Sequence, residues 1–489
     1  MRILLPIAFI SIVLSTVSCA QPIAFQHQQL AKNYTTYKEK KITHRRFKHR
    51  DIEPIIKALP RDFAVKQEGA SIEGRPIYSV TIGEGQTTVL LWSQMHGDES
   101  TATMSLFDIF QFLQADDELN AMRESLLREL QIVFIPMLNP DGAERFQRRN
   151  ALGVDLNRDA LRLQSPEAQL LKAKRDELSA DWGFNLHDQS RYYAAGNNPR
   201  TAAISVLAPA YNYEKEVNAV RERSMRMIGQ MNAVLQAYIP GQVARYNDDF
   251  EPRAFGDNIQ KWGTSTILIE SGGLKGDVEK QELRKLNFIS ILAALDAIAQ
   301  DQVGDFPVSD YEKIPFNESN AFHDIVIREA QVQSNGNWYT VDVGIRRREL
   351  GGDSPMPYYF DAVIQDLGDL STFFAYESVA AKGMRLLPGK VYTKVVPDWK
   401  AVKSLDVKRL WEQGVTTLRM EQLPAREIAA RIPFRLLPAK ETEEDKILPG
   451  QHPALVLMEK NTVRQVIING LRYDLSKGNQ ERLNWWKGL

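Results

Sequence analysis

The chain reads as an α/β protein: a mixed, mostly parallel sheet with helices on both faces, followed by a β-rich accessory domain. Three observations predict this. From about residue 51 to 303, short apolar runs alternate with amphipathic stretches, the pattern of strands joined by helices rather than by hairpins. After residue 304 the texture changes to closely spaced runs such as Asp324-Ile325-Val326-Ile327 and Ala454-Leu455-Val456-Leu457-Met458, broken by Gly, Pro and Asn. At 489 residues the chain is also too long for one core.

The first residues stand apart from both regions. Met1-Arg2 precedes an apolar run from Ile3 to Val17 and then Ser18-Cys19-Ala20. A positive start, a greasy segment and small residues read as a signal peptide over 1–20, and the run falls short of the roughly 20 residues that span a bilayer. Cys19 is the only cysteine, so neither an internal disulfide nor a cysteine metal cluster is expected. Its place resembles a bacterial lipoprotein signal, although Thr16 stands where such signals carry Leu. Cleavage after Ala20 is the alternative. Both readings predict export, to the periplasm, to the outer membrane as a lipoprotein, or to the medium. A lipid on Cys19 is the only membrane attachment implied, and no obligate protein partner is.

Residues 21–50 are polar and basic and are expected to form a linker with a first exposed helix. Thr87 to Ser93 is a β-branched and Leu-rich strand, Ala102 to Leu113 an amphipathic helix, Leu119 to Leu130 another helix, and Gln131 to Leu138 an apolar strand. Ser165-Pro166 looks like an N-cap before a first-turn proline, opening a helix to Ser179. A short strand from Trp182 to Leu186, a long helix from Tyr213 to Tyr238, a buried strand from Thr264 to Ile269 and a last helix from Asp277 to Gln300 complete the domain at 51–303. In the β-rich region, 304–489, a helix is expected around Lys400 to Glu412 and a closing hairpin between Leu448 and Gly470.

Composition leaves the chemistry to a few placed residues. With 43% hydrophobic and 25% charged residues and a net charge of −1, the chain lacks the basic footprint of a nucleic-acid partner. Polar clusters recur at predicted strand ends, where α/β sheets gather ligand sites. They are His96-Gly97-Asp98-Glu99, then Asn139-Pro140-Asp141-Gly142, then Arg148-Arg149-Asn150 and Gly153-Val154-Asp155-Leu156-Asn157-Arg158. Leu186-His187 and Leu268-Ile269-Glu270-Ser271-Gly272-Gly273 follow.

This series resembles, in order, the carboxypeptidase A-type zinc carboxypeptidases over residues 50 to 303. The resemblance implies a hydrolase that takes residues from the C-terminus of peptides, cell-wall peptides included, with one zinc ion held by His96, Glu99 and His187. Two imidazoles and a carboxylate are a known catalytic zinc set that leaves a place for water. Asp155 matches the carboxylate that orients the first zinc-binding histidine; read alone, it is equally a turn residue capping its own loop. Glu270 matches the general base that activates zinc-bound water. Arg148 matches the arginine that polarises the scissile carbonyl, with Arg149 the adjacent alternative, and Asn157 and Arg158 match the clamp on the substrate's terminal carboxylate.

The chain departs from that pattern in places. Asp188-Gln189 follows His187 where the family often has Ser-Tyr, and Tyr246 is the nearest candidate for the tyrosine that covers substrate. Arg253 and Asp257 are either specificity-pocket residues or a solvated loop pair. His27, His44, His49, His323 and His452 lack partners at ligand spacing and are expected at the surface. Two other readings remain: an aspartoacylase-like deacylase of small N-acyl amino acids, which shares H-G-x-E and D-L-N-R, and a binding protein that keeps the fold without turnover.

Overall fold

The computed structural model describes residues 23–350, 359–441 and 446–477. The expected signal segment 1–20, with Cys19, lies outside them.

The first domain is built on an eight-stranded sheet. Its strands are β1 (Ala64–Ala70), β2 (Pro76–Ile82), β3 (Thr87–Ser93), β4 (Leu130–Ile135), β5 (Trp182–Asp188), β7 (Ile204–Leu207), β8 (Val243–Arg245) and β9 (Ser265–Ser271), with a two-residue strand β6 (Ala194–Ala195) outside it. Their order is β1-β2-β4-β3-β5-β9-β7-β8. The central β4, β3, β5 and β9 run parallel, while β1, β2 and β7 meet their inner neighbours antiparallel, so the sheet is mixed.

Both faces are covered. Along β3, Val89 and Leu91 join the core under helices α1 (Ile23–Tyr37), α3 (Thr101–Gln114), α4 (Asn120–Glu129), α7 (Ala219–Gln236) and α9 (Gln281–Ala299). Leu90 and Trp92 enter a second core under α6 (Pro166–Leu178) and α8 (Phe255–Lys261). Period-two alternation with both sets apolar is what a strand buried on two faces requires.

Several elements differ from expectation. The segment before residue 51 is not an exposed spacer: Leu30, Tyr34, Tyr37, Ile42 and Phe47 are buried in the first core. The helix expected from Tyr213 begins at Ala219, because the Asn218 side chain accepts from Arg221 N at 2.9 Å and ends the preceding turn. The last helix starts at Gln281 rather than Asp277, whose carboxylate instead accepts the amides of Gln281, Glu282 and Leu283. Ser165 does not cap with its hydroxyl, which donates to Asp159 at 2.7 Å. The strand read from Gln131 to Leu138 stops at Ile135, before Pro136, which has no amide to donate.

The core also extends past 303, since Val303, Tyr311 and Ile314 belong to it. None of the five histidines expected at the surface is exposed, and His44 and His452 are half-buried. His27, His49 and His323 are buried, the first two because their rings bond the Tyr238 hydroxyl and the Pro76 carbonyl.

Beyond β10 (Asn317–Glu318), which pairs with β6, the chain forms long antiparallel strands β11 (Phe322–Ser334), β12 (Asn337–Leu350) and β13 (Tyr359–Gly368). β14 (Phe374–Ala380) lies parallel to β11, and further strands extend the sheet as far as Leu471–Asp474. A separate three-stranded parallel sheet and the helix Val407–Glu412 pack beside it. The expected hairpin is present as Ala454–Glu459 paired with Thr462–Ile468.

Candidate metal centre and active site

The site gathers at the C-terminal ends of β3, β5 and β9. His96 follows β3 by three residues, His187 is the penultimate residue of β5, and Glu270 the penultimate residue of β9. His187 and Glu270 are register partners on adjacent parallel strands. A single turn then brings in Glu99, whose amide bonds the His96 carbonyl at 3.1 Å.

Close packing of two loops fixes that turn. A Cβ at Gly97 would stand 2.0 Å from the Gly142 carbonyl carbon, so only glycine lets the loops meet. Asn139 holds the same junction. Its amide group donates to the carbonyls of Met95 and Arg148, at 3.2 and 3.3 Å, and its Oδ1 accepts from Gly142 N at 2.9 Å. The N-P-D-G turn thus sets the Arg148 loop against the His96 loop.

The result is a buried cluster in which Glu99 bridges two imidazoles. Its Oε1 lies 2.8 Å from His96 Nδ1 and its Oε2 2.6 Å from His187 Nδ1. Ligand atoms of the three residues lie within 4.8 Å of one another. On the far side of the first ring, His96 Nε2 meets Asp155 Oδ1 at 3.1 Å. That oxygen also accepts Asn157 N at 3.0 Å, so Asp155 caps its own loop and orients the ring at once. Arg148 Nε bonds Asp155 Oδ2 at 2.9 Å, and its Nη1 lies 3.3 Å from Glu99 Oε1. Arg149 is exposed and turns to the Gly153 carbonyl, so of the two arginines Arg148 is the one at the site.

Electrostatics follow from this packing. Burial opposes charge on His96, but Glu99 and Asp155 outweigh it and lift the ring to about 9. The Glu99 and Asp155 carboxyls are held well below the usual carboxylate range against the cost of burial, Glu99 by His96 and His187 and Asp155 by His96 and Arg148. Burial, followed by the Glu99 charge, pushes Glu270 well above the usual range, and its Oε2 is buried without a hydrogen-bond partner. Cation charge beside Glu270 reverses that push.

The donor set fits zinc. Two imidazoles and one carboxylate converge from the loop after β3 and the end of β5, one histidine carries a carboxylate on its outer nitrogen, and a carboxyl oxygen without a partner stands beside them.

A cleft of about 400 Å³ opens over the cluster. Arg148, Asn157, Arg158, Tyr246, Asp257 and Glu270 line it, as do Ser190, Tyr193, Leu207, Glu251 and Leu268. Asn157 Oδ1 accepts Phe255 N at 2.8 Å, and Arg158 Nε faces Glu251 Oε2 at 3.3 Å. Arg253 and Asp257 do not pair with each other: Arg253 is exposed and bonds Glu251, while Asp257 faces the cleft and accepts Glu251 N at 3.1 Å. Burial pushes Asp257 up to about 7. Burial and the nearby Glu270 raise Tyr246, whose ring stands 6.3 Å from that of Tyr193.

Ser190, Tyr193, Leu207 and the Arg158 partner Glu251 were not singled out from the sequence. The antiparallel register of β7 against β9, with Ser205 opposite Glu270, brings Leu207 in.

The zinc carboxypeptidase family model matches residues 51–255. This part of the chain belongs to the zinc carboxypeptidase family. Curated relatives of the zinc carboxypeptidase domain include carboxypeptidase D of Drosophila melanogaster, 29% identical over 140 residues that make up 24% of this chain and 10% of the fly protein. Carboxypeptidase 2 of Trichophyton rubrum is 26% identical over 145 residues, 29% of this chain and 26% of its own length. The matches therefore span about a third or less of these relatives. Among solved structures, a metallo-carboxypeptidase from Burkholderia cenocepacia aligns with a TM-score of 0.42 at 20% identity, covering 52% of this chain and 68% of that one.

Proposed function

We propose that this chain is an exported zinc-dependent carboxypeptidase that hydrolyses the C-terminal bond of peptides, cell-wall peptides among its candidate substrates. The observation that carries the reading is the juxtaposition in one cleft of the His96–Glu99–His187 cluster, the unpartnered Glu270 carboxyl and three polar side chains suited to a carboxylate and an oxyanion. Export rests on the apolar run from Ile3 to Val17.

His96, Glu99 and His187 would hold one zinc ion, which would supply positive charge to polarise a carbonyl and make water more acidic. Glu270 takes a proton from the attacking water at Oε2 and passes it to the leaving amine. Arg148, fixed by Asp155, presents its guanidinium to the oxygen that becomes negative. Asn157 and Arg158 hold the terminal carboxylate, which Arg158 can do bidentately once it leaves Glu251. Tyr246 closes over the substrate beside Glu270.

The test compares the zinc-loaded full chain on peptides with a free or an amidated C-terminus and on an N-acyl amino acid. Release of the terminal residue from free-acid peptides alone is expected. Deacylation without peptide trimming overturns the reading in favour of an aspartoacylase-like activity.

A further inference from the structure

We propose that the second domain is a working part of the active site: Tyr192, Asp324 and Tyr376 act as positioning residues that hold one wall of the metal cleft. This rests on the carboxypeptidase reading for its kinetic consequence, but not for its structural one.

The wall in question is the segment 189–193. It begins two residues after His187, and Gln189, Ser190 and Tyr193 line the cleft. The first domain holds it through Gln189, whose backbone amide donates to Ser271 O at 3.0 Å and whose side-chain amide donates to Ala202 O at 3.0 Å and Ser205 Oγ at 2.8 Å, and through the Tyr193 carbonyl, which accepts Ala202 N at 2.8 Å. The remaining anchors come from beyond residue 316. Asn317 Nδ2 donates to Gln189 Oε1 at 3.0 Å, and Phe322 N to the Tyr192 carbonyl at 3.2 Å.

Asp324 is the centre of the clamp. It is fully buried, and its carboxylate accepts the Tyr192 hydroxyl at 2.6 Å, the Arg347 amide at 2.7 Å and the Arg191 guanidinium. Burying a carboxylate is costly unless donors surround it, so the loss of any one of these donors is felt. The Tyr192 hydroxyl also lies 2.8 Å from the Arg347 carbonyl, and Tyr376 OH donates to the Arg191 carbonyl at 2.5 Å.

Tyr376 touches the other catalytic strand end as well. A Cβ at Gly273 would stand 2.2 Å from its hydroxyl and 2.7 Å from Arg191 Cβ. At Gly273 the turn after Glu270, the segment after His187 and the second domain therefore meet in close contact, beside a cavity of about 810 Å³ that Arg191, Tyr192, Gly273 and Tyr376 line. Tyr193, next to the clamped Tyr192, carries the constraint to Tyr246 across the cleft.

The test uses zinc-loaded full-length protein and the variants Tyr192→Phe, Tyr376→Phe and their double, with Asp342→Asn as a control. Asp342 pairs with Arg328 at 3.0 Å inside the second domain and loosens that domain without touching the segment. The double variant is expected to speed amide exchange across 189–193 at least tenfold and to raise KM for a peptide about tenfold, with zinc content unchanged. Asp342→Asn is expected to lower Tm and move neither readout. Asp324→Asn, which keeps an acceptor, should lie between the parent and Asp324→Ala in both. Unchanged exchange at 189–193 in the double variant, or an equal change in Asp342→Asn, overturns the inference. Faster exchange in a chain that trims no peptide removes the carboxypeptidase reading and leaves the clamp standing.

Discussion

His187 and Glu270 stand side by side in register on the parallel strands β5 and β9, one step from the end of each. In-register residues of adjacent strands project to the same face, so the imidazole and the carboxyl reach the same cleft by backbone geometry alone. Neither depends on a loop for its place. Arg148 and Arg158 come instead from the irregular stretch between β4 and α6.

Asp155 fixes the His96 ring from behind at 3.1 Å while Arg148 shares its other oxygen. Asp155→Asn is therefore expected to weaken zinc binding about ten- to a hundredfold. Titration against a competing chelator measures this, and unchanged affinity would mean that Asp155 only caps its loop.

Glu251 Oε2 lies 3.3 Å from Nε of Arg158, the guanidinium proposed to hold the substrate's terminal carboxylate. Glu251→Gln removes an internal competitor for the terminal carboxylate, so KM for free-acid peptides should fall severalfold with kcat little changed. Steady-state kinetics decide it, and a rise in KM would show that Glu251 orients Arg158 rather than competing for it.

Asp257 gives the cleft a pH dependence. Unfolded, the group titrates near 3.8, whereas burial in the fold pushes it up to about 7. Between those values the native state binds the proton more tightly, so its contribution to stability falls as pH rises through the window. Asp257→Asn should flatten this slope in denaturation curves taken from pH 4 to 8. The cleft also gains a negative charge above about pH 7, so the preference for basic over neutral C-terminal residues should grow through that pH in the parent chain and not in the variant.

Arg284 and Asp108 form a fully buried ion pair at 2.5 Å, joined by the Tyr34 hydroxyl and by the carbonyls of Glu39 and Ile42. It ties the N-terminal segment to α3 and α9. Arg284→Met leaves Asp108 buried without its cation and is expected to cost about 3–5 kcal/mol in chemical denaturation. A loss near zero would show that the N-terminal segment does not depend on this pair.

The site was legible in the sequence where its chemistry sits at strand ends. Periodicity placed the polar clusters that hold His96, Glu99, His187 and Glu270 at strand ends, and the family resemblance singled out these four residues within them. What stayed hidden was set by tertiary packing. Nothing local says that Tyr192 reaches Asp324, 132 residues away, or that Glu251 faces Arg158. The buried histidines misled for the same reason: His49 has its partner in the carbonyl of Pro76, which no spacing rule reveals. The N-terminal segment looked like a spacer because it is polar and basic, yet Leu30, Tyr34 and Tyr37 recur at helical spacing and pack as one face.

The central claim is that Glu270 handles the proton in a zinc-dependent hydrolysis. Turnover of a free-acid peptide by Glu270→Gln, measured with zinc content on the same sample, tests it most directly. The variant should keep its zinc and lose activity by about a thousandfold or more. Full activity with zinc bound would contradict the account.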